Sequence, residues 1–502
     1  MGAQIEALRM LLQEISDIEA AGALLYWDQS TYMPIGGAKA RARHMATLAR
    51  LAHQRWVDPG LGELLEQLKA LEQNLPFESL EASLIRVARR DHQRAIRIPP
   101  EFMETLNSHA SQCYQVWREA KSAKDFSLVR PYLERTVELS RRLADFFPAW
   151  EHPADPLIDM ADPGERVCSL SPLFSRLKEE LVLLLRAVRE RPSPEDSCLK
   201  GSFPEEAQLR FTLELVRAMG YDLERGRQDL APHPFMIRVA GGDVRITTRV
   251  SQDHLAESLF SSIHEAGHAL YEQGIPEELE GTPLAQGASA GIHESQSRLW
   301  ENLVGRSLPF WKFFFPRLKE AFPESMAGVD LEEFFKAIHK VEPGCIRTEA
   351  DEVTYNLHVI IRFELEMQLL EGSLAVKDLP EAWSEKYQEN LGVKPADHKE
   401  GVLQDMHWFA GTVGGAFQCY TLGNLAAAQM FQKALKENPQ IPLEMEQGNM
   451  RPLLEWLRSN VHSHGRKFEP AQLMERATGT PLRLEPYIEY LKSTYGAVYG
   501  IP

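Results

Sequence analysis

The sequence predicts a mostly α-helical protein with one small β patch. Apolar residues recur every three or four positions through most of the chain, as on the buried face of a helix. A strand-like alternation of apolar and polar residues stands out on either side of Gly241-Gly242. The 502 residues contain no internal repeat, low-complexity tract or long linker. We therefore expect one continuous helical domain over residues 1–502.

Helical periodicity begins at the N-terminus and continues through most of the chain. A first helix is predicted at 3–26, and the stretch from Trp27 to Pro34 is expected to end it. Prolines and a glycine between His152 and Gly164 predict a loop. The other predicted helices lie near 36–53, 58–72, 78–96, 100–121, 127–149, 171–190, 204–219, 255–274, 292–305, 330–340, 348–370, 424–437, 450–462 and 469–476.

A β-hairpin is predicted at 235–239 and 244–250, because these two segments flank Gly241-Gly242, a common hairpin turn. Alternate side chains of the second strand face opposite sides, so its arginines share one face. Two interpretations are open. The strand offers backbone N–H and C=O groups to an extended peptide, or it is an edge strand whose basic residues face water.

Composition and charge restrict the partners and the compartment. The chain is 44% hydrophobic and 25% charged, as in a globular protein with a large core. Its net charge of −17 argues against a nucleic-acid partner, because phosphate binding needs excess lysine and arginine. Neither a signal-peptide pattern nor a membrane-length apolar run is seen, so we expect a cytoplasmic protein without a membrane partner. The five scattered cysteines are expected to be reduced thiols.

An H-E-x-x-H pattern lies on the helix predicted after the hairpin. On that helix His264 and His268 are one turn apart on the same side, so both imidazoles can bind one zinc ion. Glu265 lies beside them, where its carboxylate can take a proton from water. The alternative is a pair of ordinary histidines on an amphipathic helix.

A catalytic zinc site of this type needs a third protein ligand, and Glu294 at the start of the next helix is our candidate. Glu301 lies two turns later on the same face. It is either a hydrogen-bond partner of a ligand histidine or a solvated carboxylate. Arg347, just before a long predicted helix, either meets an anionic ligand or pairs with a surface carboxylate.

Six sequence blocks form a longer pattern. They are His233-Pro234-Phe235, Asp243-Val244-Arg245-Ile246-Thr247, His264-Glu265-Ala266-Gly267-His268, His293-Glu294-Ser295-Gln296, Ile346-Arg347-Thr348-Glu349-Ala350-Asp351 and Gly401-Val402-Leu403-Gln404-Asp405-Met406-His407-Trp408. In order and spacing they resemble the signature motifs of the carboxypeptidase Taq family of metallocarboxypeptidases. Trp27-Asp28-Gln29 with Met33-Pro34 is also similar, so the resemblance covers essentially the whole chain.

The resemblance implies a mostly helical, single-piece saddle or clam with a deep groove, similar to angiotensin-converting enzyme and neurolysin. Residues 1–230 would be mainly a helical groove wall or lid, and residues 231–502 the catalytic part. It also implies a homodimer and a broad-specificity zinc carboxypeptidase that acts on peptides with a free C-terminus. Cobalt substitutes for zinc in such enzymes.

The resemblance also assigns roles to residues of this sequence. The implied metal ligands are His264, His268 and Glu294, with Glu265 as the residue that activates water. The implied substrate-binding residues are Arg347, Arg245 and His233. The residues implied to contact the substrate carbonyl and the developing oxyanion are His407 and Tyr420.

One stretch departs from the family pattern. After Trp408 the family usually reads Gly-Tyr-Phe-Pro and then Tyr-x-Leu-Gly. This chain reads Gly415-Ala416-Phe417-Gln418-Cys419-Tyr420, so the tyrosine before Phe417 and the proline after it are missing. Tyr420 is retained, and the resemblance leaves open how the turn before it is built.

Two other functions fit the same motifs. A zinc oligopeptidase would cut internal bonds of short peptides and would not need a free C-terminus. A non-catalytic helical protein would only bind peptides. The complete set of His264, Glu265, His268 and Glu294 argues against the second, because a protein without catalysis has no chemical need for all four.

Overall fold

The computed structural model describes residues 2–147 and 150–501. Helices make up 68% of the structure, and the β part is one three-stranded sheet, so the predicted fold class is confirmed. All five cysteines are free. Within the described ranges, no helix is long and apolar enough to cross a membrane.

The elements follow one another along the chain as a nearly continuous series of helices, interrupted once by the sheet. The strands are β1 (Gln228–Leu230), β2 (Met236–Ala240) and β3 (Asp243–Thr248). The helices are α1 (Gly2–Thr31), α2 (Ala38–Trp56), α3 (Pro59–Asn74), α4 (Leu80–Arg97), α5 (Pro100–Ala123), α6 (Arg130–Asp145), α7 (Asp155–Ala161), α8 (Val167–Arg189), α9 (Glu205–Met219), α10 (Leu255–Gly274), α11 (Ala290–Arg298), α12 (Leu308–Ala321), α13 (Leu331–Ala337), α14 (Glu352–Glu371), α15 (Leu379–Asn390), α16 (His407–Ala410), α17 (Gln418–Glu437), α18 (Ile441–Met445), α19 (Arg451–Asn460), α20 (Pro470–Thr478) and α21 (Glu485–Tyr499).

The chain forms two compact units, each assembled from three separate segments. The first unit comprises Met1–Ile96, Glu195–Ile338 and Ala427–Leu482. The second unit comprises Arg97–Pro194, His339–Ala426 and Arg483–Pro502.

The N-terminal helices of the first unit bury the apolar faces that their periodicity predicts. Leu8, Leu12 and Ile15 of α1 share one buried cluster with Leu61 and Leu65 of α3. Burying such side chains is worth roughly 1.5–3 kcal/mol each, which explains why these solvent-facing amphipathic helices are held in place.

The first predicted helix is too short, and one predicted loop contains a helix. The helix predicted at 3–26 continues to Thr31, so α1 ends inside the stretch from Trp27 to Pro34 but later than residue 26. The segment predicted as a loop after His152 contains α7, with Pro156 in its first turn. Proline is tolerated there because the missing N–H would have no partner within the helix. The last two residues of the helix predicted at 127–149 lie outside the described residues.

The predicted hairpin is confirmed as β2 and β3, with Gly241-Gly242 between them. The interpretation of β3 as an edge strand is wrong, because the strand order is β1-β3-β2. Ile246 of β3 pairs with Gln228 on one side and with Met236 on the other. Since β3 is central, an added peptide strand would have to pair with β1 or β2.

The second unit is built around α14, which is buried on almost all sides. It packs against α8 and α15. Its N-cap is Asp351, whose carboxylate accepts from the backbone N–H groups of Val353 and Thr354, as is usual for an aspartate at this position.

Candidate active site

In the first unit, α10 and α11 pack at unusually close range because of a glycine inside the H-E-x-x-H pattern. A Cβ at Gly267 would lie 2.7 Å from the carbonyl oxygen of Gln296 and 2.7 Å from the Cα of Ser297. Only glycine leaves room for the second helix at this distance. The close approach brings the side chain of Glu294 to the two histidines of α10.

His264, His268 and Glu294 converge, as the sequence predicts for a metal site. Their possible ligand atoms all lie within 4.8 Å of one another. Glu294 Oε2 is 3.8 Å from His264 Nε2 and 3.5 Å from His268 Nε2. Two imidazole nitrogens and one carboxylate oxygen are a donor set that suits a catalytic divalent metal such as zinc. These residues therefore fit the metal that the motif implies.

Glu301 is a hydrogen-bond partner of His264, so its interpretation as a solvated carboxylate is wrong. Its Oε2 lies 2.8 Å from His264 Nδ1. It belongs to a π-helical turn, Leu299–Val304, that continues α11, and such turns are frequent at functional sites. Arg298 donates to Glu294 Oε1 at 2.7 Å and to Glu301 Oε2 at 3.1 Å, which holds both carboxylates in place.

His268 has a hydrogen-bond partner that the sequence analysis did not predict. His268 Nδ1 lies 2.6 Å from Nδ1 of His293, and Nε2 of His293 lies 2.9 Å from Glu272 Oε1. One sequence signal for this contact is that His293 directly precedes Glu294. Both residues lie on α11, which packs against α10.

The ionisation of the cluster follows from its burial and its charges. Burial opposes the charge on Glu294, but Arg298 and the two histidines outweigh burial and hold its pKa well below the ordinary value. Burial lowers the pKa of His268 to about 3, which keeps a lone pair available for a metal. Burial raises the pKa of Glu265 to about 7. A cation bound beside Glu265 would lower that pKa again, since an opposite charge favours the carboxylate.

Arg245 and His233 lie on and near the hairpin of the first unit. Arg245 donates to both carboxylate oxygens of Asp243, at 2.7 and 2.6 Å. Its guanidinium carbon stacks 4.3 Å from the ring centroid of Trp27. His233, before β2, has an exposed side chain.

In the second unit, Arg347 belongs to a buried cluster of charges and does not pair with a surface carboxylate. It donates from Nη2 to Asp405 Oδ1 at 2.8 Å. Arg362, which is fully buried, donates from Nε to Asp405 Oδ2 at 2.5 Å. Although burial favours the protonated acid, the two guanidinium groups hold the pKa of Asp405 far below its usual value. One carboxylate is therefore shared by two cations.

His407 and Tyr420 meet in the same unit, with His407 Nε2 3.2 Å from the tyrosine hydroxyl. Burial lowers the pKa of His407 to about 4. The positive charges of Arg347 and Arg362 also lower this pKa, whereas the negative charge of Asp405 raises it. His407 is therefore a neutral imidazole at neutral pH, able to donate one hydrogen bond.

The stretch that departs from the family pattern directly follows a glycine turn. Gly414 and Gly415 have φ angles of 91° and 85°, a region that favours glycine. A Cβ at Gly415 would also lie 2.3 Å from the carbonyl oxygen of Leu157. The turn places the ring of Phe417 with its centroid 4.6 Å from that of His407. Phe417 thus packs beside the histidine although its neighbours differ from the family pattern.

A helical fold that brings two histidines of an H-E-x-x-H helix and a third glutamate ligand candidate together is typical of metallopeptidases. Comparison with known proteins agrees: the model of the carboxypeptidase Taq (M32) metallopeptidase family matches residues 7–495. The chain belongs to this family and is a metallocarboxypeptidase, a hydrolase that acts on peptide bonds.

Several relatives extend over nearly the whole chain. It is 46% identical over 498 residues to thermostable carboxypeptidase 1 of Thermus thermophilus, covering 97% of each chain. It is 37% identical over 490 residues to carboxypeptidase 1 of Bacillus subtilis, again covering 97% of each. The crystal structure of the M32 carboxypeptidase from Deinococcus radiodurans superposes with a TM-score of 0.96 at 46% identity, covering 99% of this chain and 100% of that one.

Proposed function

We propose that this metallocarboxypeptidase depends on zinc, with His264, His268 and Glu294 as the ligands, and that its specificity is broad. The observation that carries the proposal is the convergence of these three side chains within 4.8 Å. Catalytic zinc sites take three protein ligands of these types and keep a further position open. Cobalt accepts the same nitrogen and oxygen donors, so we expect it to substitute.

Glu265 is the general base of the proposal. When bound, the zinc ion supplies Lewis acidity to the reacting water and carbonyl groups. Glu265 takes the proton of the attacking water and returns it to the leaving amine. Its buried position on α10, directly after His264, supports this role, because a general base must lie within reach of the proton that it takes.

Arg347 is the proposed receptor of the substrate's terminal carboxylate. A guanidinium binds a carboxylate through two parallel hydrogen bonds. Because Asp405 is shared between Arg347 and Arg362, the cluster keeps a positive charge that an anionic ligand can balance. This charge excess supports recognition of peptides with a free C-terminus.

Four further side chains are proposed to contact the substrate. His407 and Tyr420 would donate hydrogen bonds to the substrate carbonyl and to its developing oxyanion, as neutral imidazole and phenol groups can. Arg245, ordered by its two hydrogen bonds to Asp243, and the exposed His233 would contact the C-terminal region of the substrate.

A homodimer in the cytoplasm completes the proposal. The resemblance of the six sequence blocks supports the dimer, and it supports a mainly helical part over residues 1–230 and a catalytic part over residues 231–502. The five free cysteines support a reducing compartment.

Metal content and turnover of three proteins test the proposed roles. The wild type should hold about one zinc ion per chain, and His264→Ala should hold none. Glu265→Gln should hold zinc as the wild type does but lose kcat by about 10²- to 10⁴-fold. Full zinc occupancy in His264→Ala would refute the ligand set, and near-normal turnover in Glu265→Gln would refute the general base.

A further inference from the structure

A chain of buried polar groups extends from the metal cluster away from the ligand atoms. It begins at His268 Nδ1, which lies 2.6 Å from His293 Nδ1. It continues from His293 Nε2 to Glu272 Oε1 over 2.9 Å. Glu272 is 4% exposed, and its Oε2 forms an ion pair with Arg238 Nε of β2 at 3.2 Å.

The hydrogen positions along this chain follow from one requirement. His268 Nε2 faces Glu294 and must carry a lone pair to bind a metal. The ring proton of neutral His268 is then on Nδ1 and is donated to Nδ1 of His293. His293 must consequently carry its own proton on Nε2, and it donates that proton to the carboxylate of Glu272. Both rings are neutral and each tautomer is fixed by its neighbour.

The surroundings of His293 hold its ring in one plane. A Cβ at Gly287 would lie 2.7 Å from His293 Cδ2, so the backbone packs directly against the ring edge. The N–H of Gly287 also donates to Glu272 Oε1 at 3.3 Å. The ring of Tyr271 is also close, with its centroid 5.4 Å from that of His293. These contacts leave the ring of His293 little freedom to turn.

We propose that His293, backed by Glu272, is a positioning residue that fixes the tautomer and ring orientation of His268 for the metal. This inference rests on the proposed ligand set. The two ligand histidines are then oriented differently: His264 by a carboxylate directly, and His268 through a second, neutral imidazole. His293 and Glu294, neighbours on α11, serve the same metal, one by orienting a ligand and the other as a ligand.

The zinc affinity of His293 variants tests this role without using enzyme activity. Apo protein is titrated with zinc in competition with a chromophoric chelator. His293→Phe keeps a planar ring but removes both hydrogen bonds, so its zinc dissociation constant should rise about 10- to 100-fold. His293→Gln, whose carbonyl can accept from His268 and whose NH₂ can donate to Glu272, should recover most of the affinity. Glu257→Gln is the matched control, since this glutamate on α10 pairs with Arg249 outside the chain of groups.

A merely structural role would give a different pattern. If His293→Phe melts at a lower temperature in the apo form but binds zinc within about twofold of the wild type, the positioning role is wrong. The ¹⁵N chemical shifts of histidine in the zinc-loaded wild type give a second measurement that needs no variant. A proton on Nε2 of His293 supports the proposal, and a proton on its Nδ1 overturns it.

Failure of this inference is distinguishable from failure of the proposed function. If the wild type binds no zinc, or His264→Ala still binds it, the metal site itself is wrong and the role of His293 falls with it. If both behave as expected while His293→Phe and the Glu257→Gln control share the wild-type affinity, only the role of His293 is refuted.

Discussion

Glu366 lies on α14 with a fully buried side chain, and replacing it by glutamine should change how stability depends on pH. Its Oε1 accepts from Trp408 Nε1 at 2.7 Å and from the N–H of Gly414 at 3.1 Å. Its Oε2 has no hydrogen-bond partner among the described residues. Burial, opposed by those two hydrogen bonds, raises the pKa of Glu366 from 4.5 to about 7.

The direction of the effect follows from this raised pKa. A carboxyl group that is harder to ionise in the folded state contributes its full stability below its unfolded pKa of 4.5 and loses it as the pH rises through 7. A tenfold change in proton affinity is worth about 1.4 kcal/mol, so ionised Glu366 costs the fold about 3 kcal/mol at pH 8. Glutamine keeps the accepting carbonyl and cannot ionise.

Urea unfolding followed by tryptophan fluorescence between pH 5 and pH 8 measures the difference. From the lower to the higher pH, the unfolding free energy of Glu366→Gln should gain about 2 to 3 kcal/mol relative to the wild type. Glu364→Gln, on the same helix, is the control. Glu364 bonds Lys178 and Lys386 and has a lowered pKa, so its contribution is lost only in more acidic solution. That variant should be less stable by a constant amount. A constant difference for Glu366→Gln would refute the reasoning.

Three further substitutions probe the packing and the proposed substrate contacts. Gly267→Ala puts a Cβ 2.7 Å from a backbone oxygen of α11, so the melting temperature and the zinc affinity should both fall. An unchanged zinc affinity would contradict the packing argument. Tyr420→Phe should lower kcat by about 10²- to 10³-fold with little change in KM, and full activity would exclude an oxyanion contact. Arg347→Lys keeps the positive charge but cannot form two parallel hydrogen bonds to a carboxylate, so KM for peptides with a free C-terminus should rise about tenfold. An unchanged KM would show that Arg347 does not recognise the carboxylate.

Local patterns were sufficient for the features that depend on neighbouring residues. Helical spacing alone puts His264 and His268 on one face, and the spacing of Glu301 from Glu294 indicated a residue that the structure brings to His264. The hairpin around Gly241-Gly242 was also predictable, because a hairpin turn depends only on the residues within and beside it.

Features that depend on distant parts of the chain were missed. The central position of β3 depends on β1, which has three residues and too short a pattern to recognise. The contact between His268 and His293 arises only when α10 and α11 pack at the distance that Gly267 allows. Arg347 and Asp405 are 58 positions apart in the sequence. Helix and strand periodicities relate only nearby residues, so they cannot predict this ion pair.

Helices α12, α15 and α21 were also absent from the prediction. Each carries a proline in its first turn, and α12 has a second, internal proline, Pro316. Proline is a sequence signal for a break, yet burial of residues such as Trp311 and Trp383 stabilises these helices. Tertiary packing therefore decided what the local sequence left ambiguous.

The most direct test of the account is mass spectrometry of one peptide with a free C-terminus and its C-terminally amidated twin, each incubated with the zinc-loaded protein. The account predicts a ladder of single-residue losses from the free-acid peptide and none from the amide, because the arginine-rich cluster of the second unit needs a carboxylate to bind. Internal cuts in both peptides would contradict it and indicate an oligopeptidase.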